Sequence, residues 1–82
     1  MWIRTQDKKA LVNIIEVEIS SILGYRRKEV VVWGRFAPQS IFSSNGIVLG
    51  MYSTMEDAIE EINEIEKCIL NNPNSVYTMK SN

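Results

Sequence analysis

Between Ser53 and Asn72 the sequence reads S-T-M-E-D-A-I-E-E-I-N-E-I-E-K-C-I-L-N-N, and no other stretch carries a helical period of this strength. Ser53 and Glu56 have the spacing of an S-x-x-E capping box, with Ser53 as the N-cap. Glu56 and Asp57 then sit where the positive end of the helix dipole favours acids. Asn71-Asn72-Pro73 supplies the stop, because Asn tolerates a left-handed cap and Pro disfavours helical geometry in the residue before it. The spacing predicts one helix over 53–71, a rod of roughly 27 Å at ~1.5 Å per residue. Everything before it reads as short strands, so the chain must fold as a sheet closed by a single helix.

Stepped at about 100° per residue, Met55, Ala58, Ile59, Ile62, Ile65, Ile69 and Leu70 fall on one arc that can cover a sheet. The opposite side carries Asp57, Glu60, Glu61 and Glu64, with like charges at i,i+4 in Glu56/Glu60, Asp57/Glu61 and Glu60/Glu64. Each such pair costs roughly 0.2–0.5 kcal/mol in an isolated helix. A run of this kind is most often a solvated face. Read functionally it is an acidic patch for a basic partner, which makes Asp57, Glu60, Glu61 and Glu64 the partner-binding candidates. Glu66 projects inside the apolar arc. A buried carboxylate needs hydrogen bonds or a cation, so either the last turn overhangs the sheet or Glu66 meets an Arg, a Tyr hydroxyl or a Trp N–H, with Arg4 and Arg35 the named candidates.

The 82 residues are enough for one domain, 1–82, and no more. A chain of this size buries little surface, and disulfides, metals or oligomerisation often support it. The single cysteine excludes an internal disulfide, and with no histidine a structural zinc site within one chain is excluded as well. A homo-oligomer is the remaining expectation. The net charge of −1 hides an asymmetry: residues 1–52 hold seven bases and four acids, residues 53–82 two bases and six acids. The simplest reading is charge complementarity between sheet and helix. Arg4, Asp7, Lys8 and Lys9 precede any apolar run, so the start does not read as a signal peptide. No stretch approaches the roughly 20 apolar residues of a membrane helix. The expected setting is cytoplasmic, without membrane.

Along the chain, Trp2–Thr5 can form a first strand and Gln6–Lys9 a turn. Ala10–Ile19 alternates, most cleanly at Ile15-Glu16-Val17-Glu18-Ile19, as a half-buried strand does. Ser20–Lys28 reads as a loop with the basic tip Tyr25-Arg26-Arg27-Lys28. Val30–Phe36 is apolar on both faces, which predicts a central position, and Gly34 within it predicts a bulge or a close backbone approach. Ala37–Ser40 reads as a turn, Ile41-Phe42 as a short strand and Asn45-Gly46 as the hairpin turn. Ile47–Tyr52 feeds the helix, and Ser75–Met79 closes the sheet. The unit 47–52, helix, 75–79 is then a βαβ crossover with its two strands parallel. The fold class is α+β: a mainly antiparallel, curled sheet of five or six short strands with one long helix (53–71) packed on it and a C-terminal strand.

The absence of histidine removes the commonest general base. Cys68 projects to the polar flank beside Glu61 and Glu64, a poor setting for a reactive thiol. The helix carboxylates lack the loop carbonyls of a calcium site, so no metal is expected. The turn Gly50–Thr54 has no glycine-rich loop, and Glu56 and Asp57 would repel a phosphate. No cofactor follows. Arg4, Arg26, Arg27, Lys28 and Arg35 are the anion-binding candidates, since bases beside an aromatic can grip phosphate or stack on a nucleobase.

The opening Trp2-Ile3-Arg4-Thr5-Gln6-Asp7-Lys8, the junction Val48-Leu49-Gly50-Met51-Tyr52-Ser53-Thr54, the helix Ala58–Glu66 and the closing Val76-Tyr77-Thr78-Met79 resemble a family of short uncharacterised proteins from low-GC Gram-positive bacteria and their phages, which begin W-I-R-S-Q-D-K. Thr5 stands where that family has Ser, and Glu66 where it has Gln; residues 20–45 have no counterpart. The resemblance implies a phage or mobile-element setting and brings no activity. The expected function is a small non-enzymatic, oligomeric binding protein, encoded by a phage or mobile element and acting on a host or defence protein. The alternative is an oligomeric module that binds or sequesters a nucleotide, phosphate ligand or nucleic acid through the basic residues.

Overall fold

The computed structural model describes residues 1–22, 29–37 and 45–81. The basic tip Tyr25–Lys28, most of the 37–40 turn and the Ile41-Phe42 strand lie outside the described residues. Six strands and one helix follow in the order β1 (Trp2–Arg4), β2 (Leu11–Asn13), β3 (Glu16–Ile22), β4 (Glu29–Arg35), β5 (Gly46–Tyr52), α1 (Met55–Asn71) and β6 (Tyr77–Thr78). The class is α+β, as expected. The single curled sheet is corrected to two sheets of three strands, ordered β2-β1-β6 and β3-β4-β5.

The correction has a local cause. The expected strand over 10–19 is two strands, separated at Ile14-Ile15, where the alternation of apolar and polar residues breaks. Ile14 donates its N–H to Met1 O at 2.8 Å, whereas Ile15 donates to Arg35 O at 2.8 Å. One residue therefore belongs to the first sheet and the next to the second, and the chain turns a corner between them. The expected βαβ unit is corrected too: β6 pairs parallel with β1, Ile3 opposite Tyr77, and not with β5. The other pairings, β1–β2, β3–β4 and β4–β5, are antiparallel.

A second tie joins the two sheets across Gln6. The β4–β5 register shifts between Val32 and Trp33: Val32 pairs with Gly50 and Trp33 with Val48. Leu49 is left as the extra residue, and its carbonyl accepts the Gln6 N–H at 2.8 Å. The Gln6 side chain then reproduces a strand edge. Its Oε1 accepts Met51 N–H at 2.8 Å, and its Nε2 donates to Met51 O at 3.1 Å and to Lys80 O at 3.1 Å. The turn that aims Gln6 is itself tightly bonded. The Thr5 hydroxyl donates to Asp7 Oδ1 at 2.6 Å, the same oxygen accepts Lys9 N–H at 2.9 Å, and Thr5 N–H reaches Ala10 O at 3.0 Å. These bonds hold Lys8 in the left-handed region, at φ 67°, a conformation that disfavours a side-chain-bearing residue. The same hydroxyl and the Lys9 amide hold the Asp7 carboxyl below its ordinary range.

The core lies between the sheets and α1. Ile3, Ile14, Val30, Val32, Leu49, Tyr52, Ala58, Ile65, Tyr77 and Met79 form one buried cluster. β4 is the middle strand of its sheet, as its two apolar faces predicted, and Val31 and Val32 are both fully buried. Gly34 marks the predicted close approach: a Cβ there would stand 2.7 Å from Ile14 Cδ1 and 2.9 Å from Leu49 Cδ1. Asn45-Gly46 is not a tight turn, because Gly46 is already the first residue of β5 and Asn45 O accepts the Phe36 N–H at 2.9 Å. Among the described residues no helix is long and apolar enough to cross a membrane.

α1 begins one residue later than expected. Thr54, not Ser53, is the N-cap, and its hydroxyl accepts the Asp57 N–H at 3.1 Å. The C-cap Asn72 has φ −145° and ψ 69° rather than a left-handed conformation, and its N–H returns to Cys68 O at 2.7 Å. Cys68 is half-buried, with Sγ 3.3 Å from Ser75 Oγ, rather than on an open polar flank.

Candidate functional site

The helix turns a narrower stripe to the core than its apolar arc suggests. Ala58, Glu61 and Ile65 are buried, with Ile62 and Cys68 packed beside them. Met55, Ile59, Ile69 and Leu70, all on the predicted arc, are exposed. The rotation exchanges the expected roles of two carboxylates. Glu61, read as part of the solvated face, is 4 % exposed. Glu66, read as buried, is exposed.

Glu61 is met by three donors. Tyr77 donates its hydroxyl to Oε1. Oε2 lies 3.2 Å from the Tyr52 hydroxyl and accepts the Lys80 backbone N–H at 3.2 Å. The Tyr52 hydroxyl also stands 2.9 Å from Lys80 O, so its single proton serves one of the two acceptors at a time. Every buried side-chain polar atom among the described residues has a partner. Burial first, and then the charge and hydrogen bond of Glu61, push both phenols well above the ordinary tyrosine value. The arrangement joins three separate elements at one point: β5 supplies Tyr52, α1 supplies Glu61 and the segment from β6 supplies Tyr77 and Lys80.

Beside this cluster lies a cavity of about 230 Å³ lined by Tyr52, Asp57, Glu60, Glu61, Glu64 and Lys80. The four predicted acidic candidates are thus together, but not as one open face. Glu64 is drawn to Lys67 at 3.6 Å and to Lys80 at 3.8 Å. Among the described residues no group of His, Cys, Asp or Glu is arranged to hold a metal ion.

The other end of the helix is built differently. A groove of about 290 Å³ runs between the C-terminal half of α1 and the β2–β3 corner, walled by Ile3, Ile14, Ile15, Ile62, Ile69 and Leu70. The two charged side chains lining it, Glu16 and Glu66, are both acidic. Ile15 and Leu70 are 69 % and 75 % exposed, so the groove opens to solvent between two protruding aliphatic side chains. The sequence carried a signal for it, the adjacent apolar pair Ile14-Ile15 that cannot both face one core.

The basic candidates are scattered. Arg35 is in β4, where its Nη2 meets Glu18 at 2.6 Å and its Nε lies 3.9 Å from Glu16. The hydrogen bond to Glu18 raises its pKa further above its ordinary value. It does not answer Glu66. Arg4 is exposed on β1 in the other sheet, with Nε donating to Lys8 O at 3.2 Å. Arg26, Arg27 and Lys28 lie outside the described residues.

Compared with protein-family models, with curated proteins and with solved structures, the chain finds no match.

Proposed function

We propose that this chain is a small non-enzymatic binding protein whose contact surface is the apolar groove between α1 and the β2–β3 corner. The observation that carries the reading is the groove itself: exposed aliphatic side chains beside a hollow whose lining includes Glu16 and Glu66. Exposed apolar surface of this kind marks interaction sites. A partner fits it by laying an apolar ridge into the groove and placing bases against Glu16 and Glu66. The setting implied by the terminal motifs makes a host or defence protein the proposed class of partner.

Nothing at the acidic cavity supports catalysis equally well. Glu61 is already occupied by three donors.

The test is a methyl NMR titration, reading the isoleucines of the groove. An amphipathic helical peptide of about 15 residues, with leucines at helical spacing and flanking lysines, is expected to shift the methyls of Ile15, Ile62 and Ile69. A glutamate-flanked version should bind more weakly, and Leu70→Arg should abolish both responses. No methyl shift at about 1 mM peptide, an affinity below roughly 4 kcal/mol, overturns the reading.

A further inference from the structure

The molecule has a second uncovered apolar surface, on the reverse side of the strand that floors the groove. Ile3 lines the groove from the inner face of β1. Side chains alternate along a strand, so Trp2 and Arg4 point the other way. The register places Leu11 opposite Arg4, and Trp2 and Leu11 are 49 % and 53 % exposed. Val76, also exposed, precedes β6 on the same sheet. This face carries the Arg4 cation, and the turn that follows it carries Asp7, Lys8 and Lys9. The residues it presents from β1, β2 and β6, namely Trp2, Arg4, Leu11, Asn13 and Thr78, include no carboxylate.

We infer that the groove takes the outer β1–β2 face of a second copy of this chain, giving a head-to-tail contact. The inference rests on the reading of the groove as a contact surface and names its occupant. Charge decides the pairing. Groove on groove sets Glu16 and Glu66 against their own copies, and sheet face on sheet face sets Arg4 against Arg4. The crossed arrangement sets the exposed Glu66 against a face and turn on which Arg4, Lys8 and Lys9 outnumber Asp7, and like-charge juxtaposition disfavours the other two. Because the two surfaces lie on opposite sides of one sheet, each molecule that accepts a neighbour can also offer itself to the next. Such heterologous contacts propagate into rings or filaments rather than stopping at a dimer.

A mixing experiment tests this by light scattering. The wild-type protein is expected to gain mass beyond a dimer as concentration rises, and to lose that mass as salt screens the rim charges. Leu70→Arg breaks the groove and Leu11→Glu breaks the sheet face. Both side chains are exposed, so circular dichroism should show the fold intact. Each variant alone should run at the mass of one chain. Mixed in equal amounts they should form a heterodimer and nothing larger, because one variant keeps a good groove and the other a good face. Wild type at single-chain mass up to about 1 mM overturns the inference, as does either variant dimerising alone. If the peptide still shifts the groove methyls while wild type stays single, self-association falls and the proposed function stands. If the mixture dimerises and the peptide does nothing, the groove stands as a contact surface for a second copy and the proposed host or defence partner falls.

Discussion

Glu61 and Glu66 stand on one helix, five residues apart, and the chain treats them in opposite ways. Glu61 is buried against two tyrosines and a backbone amide. Glu66 sits exposed at the rim of an apolar groove. The helix is therefore closed at one end by directional bonds and left open at the other. The polar end fixes how far α1 is rotated, since only one rotation brings Glu61 to Tyr52 and Tyr77 together. The apolar end inherits that rotation and leaves Ile69 and Leu70 exposed. A carboxylate's place on a hydrophobic arc does not decide whether it is buried; the donors that reach it do.

The contrast can be broken most severely at Glu61. Glu61→Ala should remove about 2–3 kcal/mol of stability, because hydrogen bonds to a buried charge are each worth ~1.5–3 kcal/mol and the abandoned donors stay buried. That is a fall in Tm on the order of 10–20 °C for a chain this small. Urea unfolding followed by circular dichroism measures it, and a loss under about 1 kcal/mol would mean that desolvation cancels the bonds.

Tyr77→Phe should cost less, about 1–2 kcal/mol, and should also change the alkaline profile. Both phenols are raised in the folded state. In the unfolded chain they ionise near about pH 10. The unfolded state thus loses its protons first. The stabilisation is complete below about pH 10 and is lost as pH rises through the folded values. Unfolding midpoints between about pH 8 and 11, read beside phenolate absorbance, should fall in wild type and fall less in Tyr77→Phe. A parallel decline in both proteins would detach the phenols from the effect.

The smallest expected change is at Glu66. Glu66→Gln should leave stability within about 0.5 kcal/mol while weakening the lysine-flanked peptide a few-fold. If this substitution instead destabilises the fold like Glu61→Ala, the two ends are not different in kind.

Much of this architecture is readable in the chain, and the failures share a cause. The helix is legible because its period, acidic start and Pro73 are all local. β4 is legible because Val30-Val31-Val32 needs two covered faces. Gly34 reads as a close approach because a strand rarely keeps a glycine without one. The rotation of α1 is not local. It depends on Tyr52 and Tyr77, nine and sixteen residues from Glu61 in sequence. The two tyrosines among aliphatic strand residues were the available hint, since a buried phenol needs an acceptor. The two-sheet layout was likewise hidden in the Ile14-Ile15 phase break, which a count of alternating residues averages away. Glu18 took Arg35 because the register puts Glu18 beside Trp33 and Glu16 opposite Arg35, on the same face. Cross-strand neighbours of that kind cannot be assigned before the register is known.

Gln6 carries a consequence for how fast this chain can fold. Its one side-chain amide holds Met51, 45 residues away, and Lys80, 74 residues away. The parallel β1–β6 pairing that it braces also spans nearly the whole described chain. Neither can be gained until the most distant segments have met, and the entropy of closing that loop is spent before any of these bonds is returned. A chain this short could in principle fold in microseconds. One whose seam is sewn last, from its two far ends, belongs instead with the slower non-local topologies that take roughly milliseconds to seconds. During that interval β1 waits with a bare edge. The same amide that makes the finished molecule coherent is the reason it is late in becoming so.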